Sequence, residues 1–198
     1  MKVGILFDLD GTLLDTLGDL TDATNYALRV HGYPERSVSE IRRFVGNGAY
    51  NQMRLSVPEG TAEEQIRQVL ETYKPYYTAH CQIKTQPYTG IPEALTALGE
   101  KYPVAIVSNK PHGAVQELAA KFFPGIPAFG ERSGIARKPA PDMLLHLMDR
   151  HGLDPAVCVM IGDRPLDTEA GMNAGILSVL LDTEGRFPEG QCDLRIAN

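Results

Sequence analysis

Four apolar runs of strand length mark the chain: VGILF (3–7), VAIVS (104–108), VCVMIG (157–162) and LSVLLD (177–182). Their hydrophobicity is continuous rather than alternating, which predicts strands covered on both faces, as in a parallel sheet. Between the later runs, apolar residues recur at helical spacing in IPEALTALGEKY (91–102), PHGAVQELAAKFF (111–123) and PAPDMLLHLMDRHG (139–152). Each of these carries a proline in or near its first turn, where a missing N–H costs no helical bond. From about Pro87 onward strand and helix alternate, the mark of an open α/β sheet with right-handed crossovers.

Between the first and second runs only helical patterns occur: DLTDATNYALRVHG (19–32), SVSEIRRFV (37–45) and TAEEQIRQVLETYKPYYTAH (61–80). Breaks rich in Gly, Pro and Asn, among them VGNGA and VPEGT, separate them. The expected organisation is a Rossmann-like α/β core of residues 1–16 and 85–198, with helices on both faces of a parallel sheet. An all-helical unit of residues 17–84 is inserted after the first strand. Placed there, it overhangs the carboxyl ends of the strands, where open α/β sheets bind ligands.

Composition narrows the function more than the fold. The 198 residues are 43% hydrophobic with a net charge of −6 and no basic stripe, which argues against nucleic acid as a partner. No apolar run approaches the ~20 residues of a membrane span, and MKVGILFD is too short for a secretory leader core. The three cysteines, Cys81, Cys158 and Cys192, follow neither metal nor disulfide spacing. A cytoplasmic protein is the expectation.

Polar residues follow the apolar runs at four places. Asp8 and Asp10 end the first, Ser108 and Asn109 the second; Lys138 stands before Pro139 at an expected helix start, and Asp163 and Asp167 follow VCVMIG. In a parallel sheet these positions converge on one edge. Two carboxylates ~4 Å apart repel by about 4 kcal/mol at an effective dielectric near 20, so a cluster of them calls for a cation. Aspartates without histidine or cysteine favour a hard, oxygen-seeking ion, hence Mg2+. Such an ion commonly carries a substrate phosphate. A Ser hydroxyl, backbone N–H groups near Gly11 and a lysine would hold the remaining phosphate oxygens, and Thr12 would tie down the turn. With no Ser–His–Asp set in evidence, an aspartate is the candidate nucleophile and a second acid the proton donor, roles that the spacing of Asp8 and Asp10 suits.

The four ordered motifs DLDGT, VSN, Lys138 and GDRPLD resemble those of the haloacid dehalogenase superfamily, and the helical insertion resembles its C1 cap. RRFVGNGA (42–49), PYTGIPEAL and VSNKP are similar to the phosphoglycolate phosphatase branch. The resemblance implies Asp8 as nucleophile and Mg2+ ligand, and Asp10 as general acid–base whose backbone carbonyl also ligates. It implies Ser108 and Lys138 as phosphate-binding, with Asn109 beside them, Asp163 as a metal ligand, and Asp167 supporting the metal directly or through a ligand. Asn47 and Gly48 would lie on a cap loop facing the non-phosphate end of the substrate. One departure stands out: Arg164 occupies the position after GD where many members have Ser or Thr.

The implied function is a Mg2+-dependent phosphatase acting on a small phosphorylated metabolite such as 2-phosphoglycolate, as a monomer or homodimer. A sugar-phosphate mutase and a non-catalytic phosphate-binding protein are the alternatives. Asp10 argues against a dehalogenase, in which no phosphate leaving group needs a proton. The tyrosines of YKPYY (73–77) are expected in the core of the insertion, and none of the five histidines is assigned a role.

Overall fold

The computed structural model of the protein describes residues 3–183, 185–188 and 190–196; residues 1, 2, 184, 189, 197 and 198 of the expected core unit lie outside this set. Six strands form one parallel sheet: β1 (Ile5–Phe7), β4 (Val104–Pro111), β5 (Ala128–Glu131), β6 (Val159–Gly162), β7 (Leu177–Leu181) and β8 (Leu194–Ile196). Their order is β5-β4-β1-β6-β7-β8, with β1 at the centre pairing Ile5 to both Val104 and Val159. Alternate residues of β1 serve opposite layers. Ile5 and Phe7 face a cluster with Ile106 of β4 and with Val115 and Leu118 of α6 (His112–Phe122). Leu6 faces Met143 and Leu147 of α7 (Asp142–His151) and Ala170 of α8 (Pro165–Asn173). A strand buried on both sides needs the continuous hydrophobicity that the sequence shows.

Four consecutive helices form the segment after β1: α1 (Leu17–Val30), α2 (Val38–Phe44), α3 (Gly48–Ser56) and α4 (Glu63–His80); a fifth, α5 (Ile91–Gly99), then leads into β4. The chain enters and leaves this helical segment through a two-stranded antiparallel ribbon, β2 (Leu14–Asp15) against β3 (Gln86–Pro87). Beside the ribbon the buried Asp19 carboxylate accepts the backbone N–H groups of Ile83, Lys84 and Thr85 at 2.9–3.0 Å, tying the exit of the segment to the start of α1. Helices and sheet share one apolar cluster, in which Leu20, Tyr73 and Tyr77 join Phe7 and Ile106.

Several elements differ from the sequence pattern. Strands β5 and β8 and the ribbon were not anticipated, nor were α3 and α8. The stretch expected as a helix from Pro139 begins at Asp142, so Lys138 sits in the turn before it. That turn is what lets Lys138 reach back under the sheet edge. Among the described residues no helix is long and apolar enough to cross a membrane.

Candidate active site

The strand ends bring their polar residues together as the parallel topology requires. Asp8 leaves β1, its N–H donating to the Ile161 carbonyl of β6 (2.8 Å). Asp163 follows β6, and Asp167 lies in the first turn of α8. One oxygen from each of Asp8, Asp163 and Asp167 lies within 4.8 Å of the others. Lys138, 1% exposed, places its ammonium 2.7 Å from Asp8 Oδ1 and 2.6 Å from Asp167 Oδ1, and donates to the Val107 carbonyl at 2.8 Å. Asn109 fixes the backbone of that lysine, accepting its N–H (2.9 Å) and donating to its carbonyl (2.8 Å).

Burial and crowding govern the charges. Asp8 is pushed up to about 7 by burial and by Asp167, against the pull of Lys138. Asp163 is raised to about 6, chiefly by burial and then by Asp8. Burial raises Asp167 as well. Desolvation disfavours the Lys138 ammonium, but Asp167 and Asp8 outweigh it and hold its pKa above the ordinary lysine value. Three carboxylates and one ammonium carry a net charge of −2 at full ionisation, which the guanidinium groups of Arg186 (3.7 Å) and Arg164 (4.0 Å) beside Asp163 offset in part; the donor set is all oxygen, which a divalent hard cation fits.

A pH effect follows. The folded pKa values lie above the unfolded value of ~3.9, so between about pH 4 and 7 the folded state binds more protons than the unfolded one. Stability from these groups is therefore greatest at the acid end and falls as pH rises through 6 to 7. A bound cation cancels that loss. At about 100 times its Kd it adds roughly 2.7 kcal/mol, on the order of 5–10 °C for a chain of this size. Melting in EDTA and in Mg2+ is expected to give a larger Mg2+-induced gain at pH 8 than at pH 5; an equal gain would contradict the cluster.

Two glycines make room for the carboxylates. Gly11 has φ +85°, and a Cβ there would stand 2.6 Å from Asp163 Oδ2; a Cβ on Gly162 would stand 2.3 Å from Asp167 Oδ2. The Gly11 N–H is committed to the Leu14 carbonyl (3.0 Å), so this residue supplies space and not a donor. The buried Thr12 hydroxyl points at Asp163 Oδ1 (3.5 Å), behind that carboxylate. Ser108 is buried at the cleft wall, its Oγ accepting the Lys110 N–H at 3.3 Å.

Asp10 also lines the cleft, its carboxylate paired outside the cluster of three. Thr16 donates to its Oδ1 (2.5 Å), and the Lys110 ammonium lies 2.7 Å from the same oxygen. Lys110 also donates to the Tyr77 hydroxyl. Local spacing does not single out Thr16 or Lys110, although VSNKP contains the lysine: a lysine is ordinarily a surface residue, and this one is buried against the α4 tyrosine. The tyrosines Tyr73 and Tyr77 are core residues as expected, and Tyr73 also lines the cleft.

The cleft above the carboxylates lies between the sheet edge and the α2–α3 segment, with Gly48 and Ala49 on its far wall and Arg164 at its side. Asn47 is exposed at the start of α3. Arg164 does not turn to solvent: its Nη2 donates to the Arg42 carbonyl at 2.9 Å, and Asn109 Nδ2 reaches the Gly46 carbonyl at 3.1 Å. Core side chains thus grip the α2–α3 backbone from two sides.

Residues 5–181 match the haloacid dehalogenase-like hydrolase family, and the chain belongs to it. N-acetylmuramic acid 6-phosphate phosphatase of Pseudomonas aeruginosa is 29% identical over 180 residues, covering 86% of this chain and 77% of that protein. Phosphoglycolate phosphatase of Vibrio vulnificus is 32% identical over 186 residues, covering 88% and 81%. A crystal structure of a phosphoglycolate phosphatase candidate from Lactobacillus delbrueckii subsp. bulgaricus superposes with a TM-score of 0.88 at 34% identity, over 100% of this chain and 95% of that one. The chain is a phosphatase of this family, a phosphoric monoester hydrolase.

Proposed function

We propose that the protein hydrolyses a small phosphate monoester with Mg2+, through an aspartyl-phosphate on Asp8, and that its substrate alcohol carries a carboxylate, as in 2-phosphoglycolate. The observation that carries this reading is the buried set of Asp8, Asp163 and Asp167 braced by Lys138.

Asp8 attacks phosphorus, and the Lys138 ammonium on its Oδ1 fixes which oxygen is held and which is presented. Asp10 gives a proton to the departing alcohol oxygen and later takes one from the water that cleaves the aspartyl-phosphate. Ser108 and Lys138 hold phosphate oxygens. Asp8, Asp163, Asp167 and the Asp10 carbonyl would hold Mg2+, which when bound supplies positive charge to the transferring phosphoryl group. Residues 17–84 act as a cap over the cleft, with Gly48 facing the alcohol end. Arg164, lining the cleft, suits an anionic alcohol. The monoesters in the names of both curated relatives have a carboxylate on the alcohol.

Phosphate release from 2-phosphoglycolate, N-acetylmuramic acid 6-phosphate and neutral sugar phosphates, each in Mg2+ and in EDTA, tests the reading. Release that requires Mg2+ and is at least about tenfold better in kcat/KM for the carboxylate-bearing esters is the expected result. Equal rates in EDTA would remove the metal from the proposal, and a preference for neutral sugar phosphates would remove the carboxylate.

A further inference from the structure

Lys110 is 5% exposed, and a buried ammonium costs several kcal/mol unless it is paired. Its partners lie on two different parts of the molecule. On the core side it stands 2.7 Å from Asp10 Oδ1; on the other it donates to the hydroxyl of Tyr77 from α4 and sits 4.5 Å from the centre of that ring. Thr16 Oγ1, just ahead of α1, donates to the same Asp10 oxygen. Two donors on Oδ1 restrain the carboxylate and, among the described residues, leave Oδ2 without a hydrogen-bond partner. Two of the three N–H donors of Lys110 are committed in this way.

We propose that Lys110 is a positioning residue for proton transfer: with Thr16 it clamps Asp10 so that Oδ2 faces the leaving oxygen, and Tyr77 makes the clamp depend on the seating of α4. This rests on Asp10 as the acid–base group. In the first step the Asp8–phosphorus bond forms, the phosphorus–alcohol bond breaks, and the Oδ2 proton passes to the alcohol oxygen. In the second, water gives a proton to Oδ2 as its oxygen bonds phosphorus and the Asp8–phosphorus bond breaks. A carboxylate turned away by even 1 Å loses the first transfer when the leaving group is a poor one. The arrangement also links the helical insertion to the chemistry without any contact between the insertion and the phosphate.

Leaving-group dependence tests the clamp, because kcat/KM covers the steps through alcohol release. An alkyl phosphate needs the proton, whereas p-nitrophenyl phosphate does not. Asp10→Asn is expected to lose about 10²-fold or more on 2-phosphoglycolate and far less on p-nitrophenyl phosphate. Lys110→Met should show the same asymmetry at about tenfold against less than about twofold, and Tyr77→Phe in the same direction at about threefold. Equal losses on both substrates for Lys110→Met, or none on either, would overturn the clamp while leaving Asp10 in place. An Asp10→Asn variant without the asymmetry would remove the acid–base assignment and the clamp together. Melting of each variant is measured first. Should Lys110→Met not fold, Tyr77→Phe decides by the same comparison, since it removes one hydroxyl and keeps the ring.

Discussion

Asp8→Asn is expected to lose phosphatase turnover by on the order of 10⁴ to 10⁶, the range seen when a nucleophile is removed from an otherwise intact site. An amide of the same shape cannot form the acyl-phosphate bond, and nothing else in the cleft takes its place. The fold should not suffer. Lys138 keeps its ion pair with Asp167 at 2.6 Å and its bond to the Val107 carbonyl, so the substitution strands no cation. It also removes a carboxylate that burial and Asp167 already disfavour. In EDTA at pH 8 the variant should therefore melt no lower than the wild type. Phosphate release on 2-phosphoglycolate and thermal melting measure the two halves. More than about 1% residual turnover would rule out Asp8 as nucleophile, and a large drop in melting temperature would contradict the crowding of charge around it.

Lys138→Met should be damaging for the opposite reason. It removes the one ammonium that, among the described residues, bridges Asp8 and Asp167, and leaves two buried carboxylates facing each other. Breaking a buried pair from one side costs about 3–5 kcal/mol, on the order of 10 °C in a chain of this length. Because the stranded carboxyls protonate in acid, much of that loss should return at pH 5. Turnover should fall by about 10²-fold or more, since a charge aimed at the phosphoryl oxygens is lost. Melting at pH 8 and pH 5, with activity alongside, checks this. A variant as stable as the wild type at pH 8 would mean that the carboxylates are not held as described.

The central strands were legible because β1, β6, β7 and the first half of β4 are largely covered on both faces and therefore mostly apolar. The others were not. In β5 the segment AFGE carries a glycine and a glutamate, and β8, at the sheet edge, exposes Leu194, Arg195 and Ile196 alike. Helix α3 starts on a glycine that also reads as a break. Helix α8 lacks a clear apolar stripe because Gly171 packs directly against Met160 and Ser178 of the strands. The aspartates stood out because carboxylates after buried strands are unusual. Lys110 and Thr16 did not, since their meaning lies in contacts with Asp10 and Tyr77 that no local spacing encodes.

The ribbon of β2 and β3 has a consequence for how such a chain can change. Residues 16–85 leave and re-enter the sheet through two neighbouring crossings, pairing Leu14 with Pro87 and Asp15 with Gln86. Lengthening, shortening or exchanging what lies beyond them adds no strand and shifts no register, and the cost of closing the loop grows only with the logarithm of its length. The half of the cleft that meets the alcohol can drift while the half that meets the phosphate stays fixed. One catalytic floor can in this way be fitted with many roofs.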